Sequence, residues 1–306
     1  MRRRLVLVSL AVVGVALSHR VASAQSVDAR RTPVVPYAGS ALTGSLVTLG
    51  SGVRLFLFTP TIEQRMVAGT WRGGVLLDEP FRGAFRLRGV DAQEIARVIS
   101  DVSLMVTVFQ AAAIDATLVP LVQGDPDLAW QASAAYALAL GLTLSVGQVI
   151  KLGAGRARPY SRECTEDPSR PGCTDGQDTY QSFYSLHTGV AFTSAGFSCA
   201  MHASRGLYGD AAADGASCAV SVAMAATTGM LRVLSDRHYL SDVLVGALTG
   251  FLVGYLVPLA IVPERGEQHA GHREAPDVTW AVAPLLSTST SSTSGQTVGA
   301  SVFGTF

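Results

Sequence analysis

Two stretches of this chain carry no charged side chain over lengths that match a lipid bilayer. LAWQASAAYALALGLTLSVGQV runs for 22 residues from Leu128, and VLVGALTGFLVGYLVPLAIV for 20 from Val243. A helix rises about 1.5 Å per residue, so each can cross about 30 Å of hydrocarbon with its backbone polar groups satisfied internally. Three more apolar segments lie near 97–122, 188–203 and 216–234. The latter two are short and rich in Ala, Gly, Ser and Thr, which let helices approach closely. The first carries Asp101 and Asp115 and is the weakest candidate span. The expected fold class is all-α: an antiparallel bundle of five, or six, mostly membrane-spanning helices. Composition agrees, with 48% hydrophobic and 15% charged residues, more apolar than a soluble domain. A formal net charge of zero gives no basis for nucleic-acid binding.

The chain opens MRRRLVLVSLAVVGVALSHRVASAQ: arginines, an apolar core, then Ala22-Ser23-Ala24. That is the order of a secretory signal peptide cleaved after Ala24, with a retained anchor as the alternative. The expected organisation is 1–24 signal peptide, 25–90 polar N-terminal extension, 91–262 helical domain and 263–306 polar tail. The tail from Asp277 has apolar stretches around a Ser/Thr-rich turn and reads as a β-hairpin. SLVTLGSGVRLFLF, near the start, is a candidate to pair with it. Export makes disulfides the natural fate of cysteines. Cys164 and Cys173 bracket the turn-rich TEDPSRPG and are expected to be bridged, and Cys199 with Cys218 is a second candidate pair. No cysteine pair has zinc-site spacing.

Short connections such as QGDPD and RGLYGDAAADG make neighbouring helices antiparallel. The end of helix two, the start of helix three, the end of helix four and the start of helix five therefore share one side of the bundle. At the end of helix two stands KLGAGRARP, with Lys151, the only lysine, seven residues before Arg158. Two helical turns would set them on one face about 10 Å apart. Alone, Lys151 reads equally as a cation at a helix C-terminus. At the start of helix three come Ser185, Leu186 and His187, where free backbone N–H groups favour an anion; alone, this is a serine cap with an incidental histidine. At the end of helix four, LRVLSDRHYLSDVLVG gives Arg232, five residues, His238, three residues, Asp242. A carboxylate one turn after a histidine can hold its Nδ1 proton and leave Nε2 as a nucleophile or base. The bland reading is an exposed polar turn that includes Asp236 and Arg237. Gathered at one end, three cations, two histidines, a carboxylate and a helix N-terminus describe a phosphate site with a nucleophile and a proton donor.

These motifs resemble those of the type 2 phosphatidic acid phosphatase superfamily, which also includes bacterial class A acid phosphatases and vanadium haloperoxidases. Its motifs are Lys-x6-Arg-Pro, Pro-Ser-Gly-His and Ser-Arg-x5-His-x3-Asp. The first is complete in Lys151, Arg158 and Pro159. The second keeps Ser185 and His187 but has Tyr184 and Leu186 in place of proline and glycine. The third keeps Arg232, His238 and Asp242 but has Leu231 in place of serine. The resemblance covers about residues 97–262 and makes the helical domain a phosphatase domain. It implies a phosphohydrolase that needs no metal or other cofactor, with His238 as nucleophile and Asp242 holding its tautomer. His187 would be the acid and base, with Lys151, Arg158, Arg232, Ser185 and the Leu186 amide on the phosphate. A glycine needed for positive φ or close backbone approach would make Leu186 costly, by about 1–3 kcal/mol; a helical φ would leave its amide usable.

Three functions follow. The first is a membrane phosphatase of lipid phosphates or diphosphates, with a phosphorylated lipid as partner. The second is a catalytically weak or inactive lipid-phosphate binder, because of Tyr184 and Leu186. The third is a haloperoxidase, for which vanadate would be the cofactor. Export places the membrane form in the cell membrane with its site on the periplasmic face, beside Cys164 and Cys173. Cys199 and Cys218 reach similar depth, about 18–21 Å from the site. A bridge there would favour the alternative, a soluble periplasmic bundle.

Overall fold

The computed structural model describes residues 71–169, 173 and 179–262, together with the backbone of 279–287 and 297–305. The expected signal peptide and the stretch SLVTLGSGVRLFLF lie outside the described residues. A short helix, α1 (Asp78–Phe85), precedes the bundle. Helix α2 (Val90–Phe109) continues through a π-helical segment (Gln110–Leu118) and a last turn (Val119–Val122) as one rod. Helices α3 (Pro126–Ala154), α4 (Leu186–Arg205), α5 (Ala211–Leu234) and α6 (Leu240–Ile261) follow, with a 3-10 turn over Pro159–Thr165. Strands β1 (Thr279–Ser287) and β2 (Thr297–Thr305) pair antiparallel, Thr279 opposite Thr305 and Ser287 opposite Thr297, as the tail pattern predicts.

The elements extend past their apolar cores because polar residues cap them. Asp125 accepts the Leu128 amide at 2.9 Å to start α3, with Pro126 in the first turn. Asp210 accepts the Ala213 amide at 2.8 Å to start α5. Gly155 and Gly206 take left-handed φ values of 53° and 55° and end α3 and α4, a conformation that favours glycine.

Helix α4 is the axis of the bundle and touches α2, α3, α5 and α6. Its approach to α6 is made by small residues: Gly246, Gly250, Gly254 and Pro258 form a buried stripe on α6. A Cβ at Gly246 would lie 2.6 Å from the Ser185 carbonyl oxygen, and one at Gly250 or Gly254 would collide with the carbonyls of Gly189 and Thr193. Close backbone approach of this kind is how helices associate where lipid removes the hydrophobic drive. The opposite face of α6 presents Leu244, Leu248, Leu252, Leu256 and Leu259 outward.

Four helical stretches are long and apolar enough to cross a membrane among the described residues: Val90–Val122, Pro126–Lys151, Ala211–Leu234 and Leu240–Ile261. Two acidic residues of the apolar run in the first span, Asp101 and Asp115, both turn to partners within the bundle. Asp115, on the π-helical segment, is fully buried, takes the Ser198 hydroxyl at 2.5 Å and lies 3.4 Å from His202 of α4. Asp101 faces the other end of the bundle. Cysteines 164 and 173 are bridged, as are Cys199 and Cys218, which join α4 to α5.

Candidate active site

The ends of α3 and α5, the starts of α4 and α6 and the segments that connect them bring Lys151, Arg158, Arg232, His187, His238 and Asp242 together. Lys151 and Arg158 do not share a helical face. Helix α3 ends at Ala154, and Gly155 turns the chain so that Arg158 stands in extended conformation before the 3-10 turn. The extended segment carries the guanidinium to His238, with Nη1 3.1 Å from Nε2 and 3.1 Å from the Arg237 carbonyl oxygen.

His238 is buried, in the loop between α5 and α6. Its Nδ1 lies 2.8 Å from the Ser182 carbonyl oxygen, which accepts the Nδ1 proton, whereas Asp242 is 3.6 Å away. The backbone carbonyl, rather than the carboxylate expected from the spacing, thus holds the tautomer. Asp242 holds the loop instead: it accepts from the Ser182 hydroxyl at 2.5 Å and the Tyr239 amide at 2.9 Å, and it pairs with Arg156. Burial first, then Arg158, Lys151 and Arg232, push the His238 pKa well below the usual histidine value. All three cations act on this one imidazole, which stays neutral with Nε2 unprotonated.

His187 stands in the first turn of α4. Its Nε2 lies 3.3 Å from Asp101, and the same carboxylate pairs with Arg232, whose Nε donates to Ser100 at 2.9 Å. Desolvation, aided by Arg232 and Lys151, pulls the His187 pKa down to about 4, while Asp101 acts to raise it. Ser185 stands at the N-cap position of α4 and is fully buried, and its Oγ accepts from Thr188 Oγ1 at 2.9 Å and makes no side-chain capping bond.

Leu186 is the first residue of α4 and does not have a positive φ. Amides in a helix's first turn lack intrahelical acceptors, and a leucine at this position retains that amide. Its side chain and Tyr184 turn instead toward α3, where Gly147 leaves room. A Cβ there would lie 2.6 Å from Leu186 Cδ1 and 2.7 Å from the Tyr184 hydroxyl.

Three residues beyond the expected set complete the arrangement. Asp101 was legible only as a charge in an apolar run. Arg156 is wholly buried between Trp71 and Tyr239 and bonds Asp78 at 2.7 Å and Ser241 at 2.8 Å. Nothing in the sequence separates it from its neighbour Arg158. Ser182 works through its carbonyl, which no side-chain pattern encodes. Nor is the turn before α6 exposed: Asp236 is fully buried and accepts two bonds of 2.7 Å from Arg82 of α1.

The order of a lysine, two arginines and two histidines around a helix N-terminus is now fixed in space. Residues 132–265 match the PAP2 superfamily. The matched PAP2 region runs from within α3 to just past α6, and it contains Lys151, Arg158, Ser185, His187, Arg232, His238 and Asp242. Asp101 and Asp78 lie outside it. The PAP2 superfamily carries phosphatase-type chemistry, which agrees with the three cations gathered around His238. No curated protein and no solved structure matches the chain.

Proposed function

We propose that the protein is a metal-independent phosphohydrolase of membrane lipid phosphates that works through a phosphohistidine on His238. The observation that carries this reading is the set of partners around His238: Nδ1 on the Ser182 carbonyl, and Nε2 facing the Arg158 guanidinium at 3.1 Å. A phosphoryl group drawn in by Arg158, Lys151 and Arg232 would take the Arg158 N–H from Nε2 onto its own oxygens and so meet the freed Nε2 lone pair. The N–P bond forms as the P–O bond to the leaving group breaks, and the leaving oxygen takes a proton from His187. Water then gives a proton to His187 and its oxygen to phosphorus, and the N–P bond breaks to release phosphate. The cations serve the equatorial oxygens, where charge must be accommodated in the transition state, and the same field repels a divalent cation. Asp101 serves His187 by raising its proton affinity toward the working range.

The proposed location is the cell membrane, reached by export, with the site on the periplasmic face. The outward leucines of α6 and the Cys164–Cys173 bridge beside the site support it. The Cys199–Cys218 bridge, deep along α4 and α5, favours the second reading, a soluble periplasmic bundle. The test of function is phosphate release from lipid phosphates by detergent-purified protein. Wild type should turn over and accumulate an acid-labile phosphoryl label, and His238→Ala should lose ~10³-fold or more, the scale for loss of a nucleophile. A lipid-phosphate binder without turnover would show neither label nor release, and vanadate-dependent halide oxidation would mark a haloperoxidase.

A further inference from the structure

Helix α1 is amphipathic in the reverse of the sense expected for a soluble protein. Its charged residues point at the bundle. Asp78 bonds Arg156 and the Ser241 hydroxyl, each at 2.7 Å; Glu79 pairs with Arg162; Arg82 holds Asp236 at 2.7 Å. Its outward face is Leu77, Pro80 and Ala84, flanked by Phe81 and Phe85, and Leu76 just before it is 96% exposed and Leu77 68% exposed. A surface helix ordinarily buries its apolar stripe. Here that stripe is turned out, and the ion pairs hold it there.

The position of α1 says what meets the stripe. The Leu87 amide bonds the Leu234 carbonyl oxygen at 3.0 Å, where α5 ends, and Asp78 takes the Ser241 amide at 2.8 Å, where α6 begins. Both contacts mark ends of apolar spans. Ser241 stands three and seven residues before Leu244 and Leu248 on α6, so Asp78 sits at the head of the outward leucine stripe. Leu76 and Leu77, both exposed, immediately precede Asp78 in the chain. The exposed Arg72 and Arg88 on either side suit anionic headgroups.

We propose that α1 and the preceding Leu76-Leu77 tip lie in the bilayer interface around the active site, apolar face in the lipid, and set the depth at which a phospholipid headgroup reaches His238. This rests on the membrane phosphatase reading, but its test needs no turnover. An apolar face of this kind settles about 5–10 Å into the headgroup–acyl boundary. Single cysteines at Leu77→Cys and Ala84→Cys, spin-labelled in full-length protein in phosphatidylglycerol-containing nanodiscs, should collide several-fold more with oxygen than with a water-soluble nickel chelate, relative to a label at Arg72→Cys. A nickel-accessible label would overturn the proposal by showing water on this face. A label shielded from both would also overturn it, because the residues before 71 or a second copy would then cover the helix. Phosphate release from a water-soluble phosphomonoester, measured on the same samples, reports separately on whether the site is a phosphatase.

Discussion

Leu186 stands where the resembling family has glycine, yet it takes a helical position with its side chain turned to Gly147. The substitution is thus absorbed across two helices and leaves the amide in place. Leu186→Gly should lower thermal stability, by about 2–5 kcal/mol for the lost packing, and leave kcat within a few-fold of wild type. A tenfold gain in phosphate release would show instead that the leucine obstructs the phosphate. Asp101 offers a sharper probe, because it bonds His187 and pairs with Arg232. A general acid must carry its proton, and the carboxylate raises the His187 pKa against the burial that lowers it. Asp101→Asn should therefore move the alkaline limb of the kcat pH profile to lower pH, beyond any loss of rate. An unmoved limb would free His187 of that role. The sequence made the seven expected polar residues legible because helix order alone sends them to one end. It misassigned the partner of His238 because a backbone carbonyl, from a loop 56 residues away, wins the contact that i, i+4 spacing suggests.

Among the elements, the α4–α6 pair carries the tightest packing. Its glycine stripe at 246, 250 and 254 was readable as small residues four apart, but the length of the apolar run dominates any reading of that segment. Gly250→Leu puts a side chain where the Gly189 backbone already sits. Both helix starts at the site, Ser185 and Asp242, belong to this pair. The variant should fail to give a monodisperse folded species in detergent by size-exclusion chromatography, whereas Leu248→Ala on the outward face of the same helix should behave as wild type. The spans and their order were legible because bilayer thickness dictates length. The π-helical segment was not, since QAAAIDATL carries no residue pattern that separates a wider helical turn from an ordinary one.

For the whole molecule, the distribution of apolar surface and the position of the site set an orientation that can be measured. Intact spheroplasts expressing the protein should hydrolyse a membrane-impermeant phosphomonoester without lysis, at a rate that His238→Ala abolishes. Hydrolysis that appears only after lysis would place the site on the cytoplasmic face. The membrane-scale reading came from composition and helix lengths, while the role of residues 71–88 did not, because α1 carries too few residues for its pattern to stand out. Its ion pairs have a consequence for any attempt to isolate the catalytic unit by cutting at the edges of the family-matched region. Such a cut removes Asp78 and Arg82, leaving Arg156 and Asp236, both fully buried, without those partners. Losing one member of a buried pair costs about 3–5 kcal/mol. The smallest self-sufficient version of this protein therefore begins well before the segment that identifies it.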